Sequence, residues 1–75
     1  MKNPQHIATV PKNAAEEVRV ALTEFNGHAL IDVRVYADFG GPAGEKRPTR
    51  KGVSLARDRL PDLIAALQSA QREAS

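Results

Sequence analysis

The sequence predicts an α+β fold: a four-stranded antiparallel sheet followed by one C-terminal helix. Three observations predict it. Residues 18–25 and 28–37 alternate between apolar and polar on either side of Asn26-Gly27, the pattern of a half-buried hairpin around a tight turn. Two further short strand-like runs, 46–50 and 52–55, follow a glycine-rich loop. Leu60, Leu63, Ile64, Leu67 and Ala70 then recur at helical spacing and form one apolar stripe.

Taken in order, residues 1–15 contain Pro4 and Pro11 and show no sustained period, so they read as a flexible arm. Within the arm, residues 7–10 are the part able to touch the body. The domain proper spans residues 16–75. In its first strand Val18, Val20 and Leu22 share a face, and Arg19, Ala21, Thr23 and Phe25 share the other. Asn26-Gly27 suits a type I′ turn because both residues tolerate positive φ. A two-residue loop there pairs positions whose numbers sum to 53. Leu22 then meets Ile31, Val20 meets Val33 and Val18 meets Val35, so turn chemistry and strand phase agree.

Residues 38–45 (DFGGPAGE) lack the Gly-Lys-Ser/Thr ending of a phosphate-binding loop and read as a plain connection. The runs 46–50 and 52–55 are separated at Lys51-Gly52, and Pro48 marks an edge or a bend. The helix is expected over residues 58–73, with Asp58 as N-cap and Pro61 in the first turn, where a missing N–H costs little. It is expected to cover one face of the sheet.

Composition narrows the function. The chain has 75 residues, 11 Lys+Arg against 9 Asp+Glu, and no cysteine. Disulfides, thiol catalysis and Cys-based zinc sites are excluded, which fits a reducing cytoplasm. No apolar run approaches the ~20 residues of a membrane span, and no signal-peptide pattern opens the sequence. A core this small supplies about 3–5 kcal/mol, which makes oligomerisation the expected support. No Ser/His/Asp arrangement is visible, Glu16, Glu17, Asp58 and Asp62 read as surface charges, and His6 and His28 have no partner at metal-ligand spacing. The expectation is a non-enzymatic protein without metal or cofactor.

The outward face of the sheet carries the functional signal. The register sets Arg19 opposite Arg34, a repulsive pair, and Phe25 lies in the same polar phase beside His28. Lys46, Arg47, Arg50, Lys51, Arg57 and Arg59 then follow within fourteen residues. Unpaired arginines, an outward aromatic and a basic hairpin suit a single-stranded nucleic acid, with phosphates relieving the repulsion and a base stacking on Phe25.

Two stretches, Phe25 to Arg34 (FNGHALIDVR) and Pro48 to Leu55 (PTRKGVSL), in this order and with a compatible gap, resemble the single-stranded-DNA-binding domain of the transcriptional positive cofactor four family. The resemblance covers roughly residues 17–68. It implies a homodimer of curved four-stranded sheets, each followed by a helix that helps join the subunits. Channels between the sheets would take two antiparallel single strands, as in a locally melted duplex. Phe25 matches the family's stacking aromatic, Arg34 the arginine of its Ile-Asp-Ile-Arg motif, and Arg47, Arg50 and Lys51 its basic residues. There are departures. Ala37 replaces a frequent tryptophan, Asn26 and His28 replace lysines, Glu16 stands where a basic residue often precedes the first strand, and the loop at 40–44 is about two residues longer. They imply weaker, less aromatic binding. Without the eukaryotic serine-rich arm, a stand-alone bacterial or phage member is expected.

The resulting expectation is largely sequence-independent single-stranded DNA binding in transcription regulation, replication or repair, at the bacterial nucleoid in the cytoplasm. The candidate nucleic-acid residues are Arg19, Phe25, His28, Arg34, Tyr36, Lys46, Arg47, Arg50 and Lys51. Leu60, Leu63, Ile64 and Leu67 are the candidate dimer contacts, and the transcription machinery is a candidate partner. The alternatives are an RNA-binding regulator using the same face and a protein-interaction module that binds no nucleic acid.

Overall fold

The structure, a computed structural model, describes residues 4–40 and 44–75. Four strands form one antiparallel meander in the order of the chain: β1 (Gln5–Pro11), β2 (Glu16–Phe25), β3 (His28–Asp38) and β4 (Lys46–Ala56). A single 3₁₀ turn, Arg57–Arg59, leads into the helix α1 (Leu60–Ala74).

The β2–β3 hairpin has the register expected from its turn. Leu22 pairs with Ile31, Val20 with Val33, Val18 with Val35 and Arg19 with Arg34. Asn26 (φ 51°) and Gly27 (φ 78°) carry the paired positive φ angles of the predicted tight turn. Ile31, at the centre of the apolar face, is the one buried residue among the described residues.

The strand inventory differs from expectation at both edges. The first 15 residues are not a loose arm throughout: Gln5–Pro11 pairs with β2 from Gln5↔Leu22 to Pro11↔Glu17. Its alternation is hidden by a bulge between His6 and Ala8, which displaces Ile7 and restarts the phase. Pro11 ends an edge strand, a position that tolerates the missing N–H. An Asx turn closes the β1–β2 connection, with the Ala15 N–H donating to Asn13 Oδ1 (2.9 Å). Asn13 Nδ2 and Lys12 Nζ both reach Glu16 Oε1, at 2.8 and 3.2 Å. These two side-chain bonds, Asn13 first, hold the Glu16 carboxyl below its usual range.

At the other edge, the two short runs expected around Lys51-Gly52 form one strand. Tyr36 pairs with Pro48 and Arg34 with Gly52, so Val35 alone faces residues 49–51. The interruption is a bulge rather than a strand end, because β3 continues opposite it.

The helix departs most from expectation. Asp58 makes no capping bond. Arg59 at the N-cap position is already helical (φ −89°, ψ −4°), so no extended residue turns a side chain back onto the first turn. Pro61 occupies the first turn as predicted. Nor does α1 cover the sheet: only Leu60 and Leu63 are half-buried, while Ile64 and Leu67 are 47% and 61% exposed. The apolar face of the sheet stays partly open, with Val10 and Val53 exposed. The radius of gyration is 14.0 Å, against ~11 Å for a compact chain of this length. The accessible surface is 5850 Å², against about 4,500 Å² for a folded monomer of this mass. The chain leaves uncovered much of the apolar surface that a self-contained domain would bury.

Candidate nucleic-acid interface

Strand alternation sorts the candidate residues. Arg19 and Arg34 face one another on the polar side, as the register required. They are not unpaired, however. Arg19 Nε donates to Glu17 Oε2 at 2.6 Å, and its guanidinium carbon lies 4.1 Å from the centroid of the Tyr36 ring, a cation–π contact. Arg34 holds Asp32 with two bonds, Nε to Oδ2 at 3.2 Å and Nη2 to Oδ1 at 2.9 Å. Each arginine follows its carboxylate by two residues on the same strand and therefore on the same face, so the repulsion expected across the pair is already compensated. The spacings Glu17-x-Arg19 and Asp32-x-Arg34 are the signal that shows this in a strand.

Arg34 is further committed. Its Nη1 donates to the carbonyl oxygen of Thr49 at 3.0 Å, and Ser54 Oγ donates to Asp32 Oδ1 at 2.6 Å. Partial burial pushes the Asp32 carboxyl up, but the bonds from Arg34 and Ser54 outweigh it and hold the group below its ordinary value of 3.8. With a lowered folded pKa, Asp32 contributes stability above that ordinary value and loses it as the pH falls through the folded one. The Arg34–Asp32 pair is therefore intact at neutral and mildly acidic pH. Burial opposes the charge on Arg34, but the hydrogen bond to Asp32 has the larger effect and raises its pKa.

The six clustered cations divide. Arg57 donates to the carbonyls of Leu30 (3.0 Å) and Thr23 (2.9 Å), fastening the corner after β4 to the β2–β3 hairpin. Arg59 lies 3.7 Å from Asp62, and Lys46 lies 3.9 Å from Glu17. Arg47, Arg50 and Lys51 are exposed and form no ion pair among the described residues. Arg47 pairs with Ala37, which puts it in the strand phase opposite to Tyr36 and Lys46, at the open end of the sheet. Arg50 and Lys51 ride on the bulge. The nine candidate residues thus do not share one face: Arg19, Arg34, Tyr36 and Lys46 cluster, while Arg47 and the bulge cations occupy the β4 edge.

Phe25 and His28 form the last pair of the hairpin, and both are exposed, Phe25 by 58%. The ring borders a shallow groove with Pro4, Thr23, Leu30, Asp32 and Ser54. Val35, opposite the bulge, is seven residues from His28 along β3, roughly 23 Å at ~3.3 Å per residue. The exposed Phe25 ring and the bulge cations thus lie well apart along β3. Sequence reasoning missed Thr49, whose role depends on a bulge that only strand pairing reveals. It also missed Phe39, 66% exposed just beyond β3.

Residues 12–66 match the sequence profile of the family described as Transcriptional Coactivator p15 (PC4). Among solved structures, the chain is similar to the PC4 homologue BPSL1147 of Burkholderia pseudomallei K96243. In the orthorhombic crystal form the TM-score is 0.85 at 30% identity, covering 97% of this chain and 96% of that one. In the tetragonal form it is 0.81 at 29% identity, covering 92% and 98%. The bacteriophage T5 homologue of the eukaryotic coactivator PC4, implicated in recombination-dependent DNA replication, shares the fold at TM-score 0.73 and 23% identity, covering 97% of this chain and 82% of that one. No curated protein sequence gives a significant match.

Proposed function

The chain belongs to the Transcriptional Coactivator p15 (PC4) family, a DNA-binding family, and we propose that it binds single-stranded DNA as a homodimer without catalysing a reaction. The observation that carries this reading is the presence of an exposed ring, Phe25, together with three exposed cations that form no ion pair among the described residues, Arg47, Arg50 and Lys51. Phosphates neutralise such cations whatever the base sequence. An exposed ring stacks only on a base whose face is free, which favours single strands over duplex and tolerates any base. The polar face between them contributes less net charge, because Arg19 and Arg34 are already neutralised by Glu17 and Asp32.

The dimer is supported by the excess surface and by the apolar residues left open on α1 and the sheet. Burying Ile64, Leu67 and Val53 against a second copy would complete a core that one chain lacks. Sedimentation at micromolar concentration is expected to give a dimer. A folded monomer there would contradict this part of the reading. We place the protein at the bacterial nucleoid, in transcription, replication or repair.

Competition tests the binding specificity. With a labelled oligothymidylate bound, unlabelled single-stranded DNA is expected to displace it at far lower concentration than a duplex of the same sequence. Equal displacement by duplex would reduce the interface to a generic basic surface, and preferential displacement by matched RNA would make the protein an RNA-binding regulator.

A further inference from the structure

A bulge that sets three residues against one disrupts the ladder locally and re-aims its side chains, so the contact that closes it sets their direction. Here one hydroxyl closes it. Thr49 Oγ1 donates to the carbonyl oxygen of Val35 across the sheet at 2.8 Å and accepts the N–H of Lys51 at 3.1 Å. The Thr49 carbonyl in turn accepts Arg34 Nη1 at 3.0 Å. Arg34 is held from behind by Asp32, and Asp32 by Ser54. Thr49 is half-buried while its neighbours Arg50 and Lys51 are exposed.

We propose that Thr49 is a positioning residue for nucleic-acid binding: its hydroxyl fixes the bulge that presents Arg50 and Lys51 to phosphates, and Arg34 acts through Thr49 rather than on the nucleic acid. The proposal rests on the binding function above. Its chemistry differs from that of a direct Arg34–phosphate contact, because Nε, Nη1 and Nη2 of Arg34 all have partners within the sheet. A phosphate at Arg34 would meet only the N–H groups that these partners leave free, and it would sit beside the Asp32 carboxylate. The backbone N–H of Lys51, whose side chain carries the charge, is held by the Thr49 hydroxyl.

Thr49→Val separates the two roles, because it keeps the shape and the net charge and removes only the hydroxyl. Binding of a fluorescein-labelled oligothymidylate to the full chain would be measured over a range of salt concentrations, with amide exchange of Lys51 followed by NMR in the free protein. Thr49→Val is expected to weaken binding roughly tenfold, the equivalent of one lost hydrogen bond of ordinary strength. It is also expected to lower the salt slope by about 0.7–1.4, the equivalent of one or two lost phosphate contacts. The Lys51 amide should exchange faster. Thr49→Ser should restore all three. Arg34→Lys supplies a second arm that does not depend on the fold of Thr49→Val. It preserves the charge but not the forked geometry, so a positioning role predicts a loss of slope and a phosphate contact predicts none. Wild-type affinity and slope in Thr49→Val, or an unchanged slope in Arg34→Lys, would overturn the proposal. If the wild-type chain binds no oligonucleotide, the binding function itself fails, and the Lys51 amide still decides whether Thr49 closes the bulge.

Discussion

Gly52→Ala is expected to be the most damaging single substitution in the sheet. Gly52 sits at φ 154°, and a Cβ built there would lie 2.5 Å from the Val33 carbonyl oxygen and 2.7 Å from Arg34 Cα. Both obstacles are backbone, so relief requires β3 and β4 to part where the bulge begins. A strained backbone residue costs about 1–3 kcal/mol before any steric term is added. With a single buried residue among the described residues, the chain has little reserve against such a loss. Thermal melting by circular dichroism should show a drop in Tm of roughly 10–20 °C, or no cooperative transition. Gly27→Ala is the comparison. That position also has positive φ, but nothing lies within 4 Å of its Cβ, so its Tm should fall much less. Equal melting of Gly52→Ala and the wild type would show that the two strands do not approach as described.

Phe25→Ala is expected to give the largest loss of binding without a loss of fold. The ring is 58% exposed at the end of the hairpin, so truncation forfeits little buried area. If a base stacks on it, affinity for single-stranded DNA should fall by about 1–3 kcal/mol, while the salt slope barely moves because no charge is removed. Parallel melting and titration check this. A variant that binds like the wild type removes Phe25 from the interface. One that unfolds makes it a packing residue instead.

How far the molecule is legible from its sequence depends on whether the deciding contact is local. Asn26-Gly27 and the two alternating runs beside it specify the turn, the register and the apolar face together, and the Arg19–Arg34 juxtaposition follows from the same arithmetic. Strand β1 escapes because its bulge at Ile7 breaks the alternation and Pro11 mimics a stop. The β4 interruption at Lys51-Gly52 reads as two strands because only the partner strand shows that pairing resumes. The position of α1 depends on what covers its stripe, a tertiary and not a local fact. In the candidate interface, the exposure of Phe25, Arg47, Arg50 and Lys51 follows from residue type and strand phase, whereas their contact with DNA is a proposal. The neutralised state of Arg19 and Arg34 was available in the two-residue spacing to Glu17 and Asp32. Thr49 was not available, since its hydroxyl matters only through a non-local register.

If single-stranded DNA is held electrostatically by the cations on the β4 edge, removing their charge must show in the salt dependence of binding. The most direct measurement is the salt dependence of oligothymidylate affinity for the wild type and for the triple variant Arg47→Gln, Arg50→Gln, Lys51→Gln. Each phosphate contact contributes about 0.7 to the slope of log K against log salt, so three per chain should contribute roughly 2. A steep wild-type slope is expected, which the triple variant loses by that amount, with melting unchanged because none of the three side chains forms an ion pair among the described residues. A triple variant that keeps the wild-type slope and affinity would contradict electrostatic binding at the β4 edge.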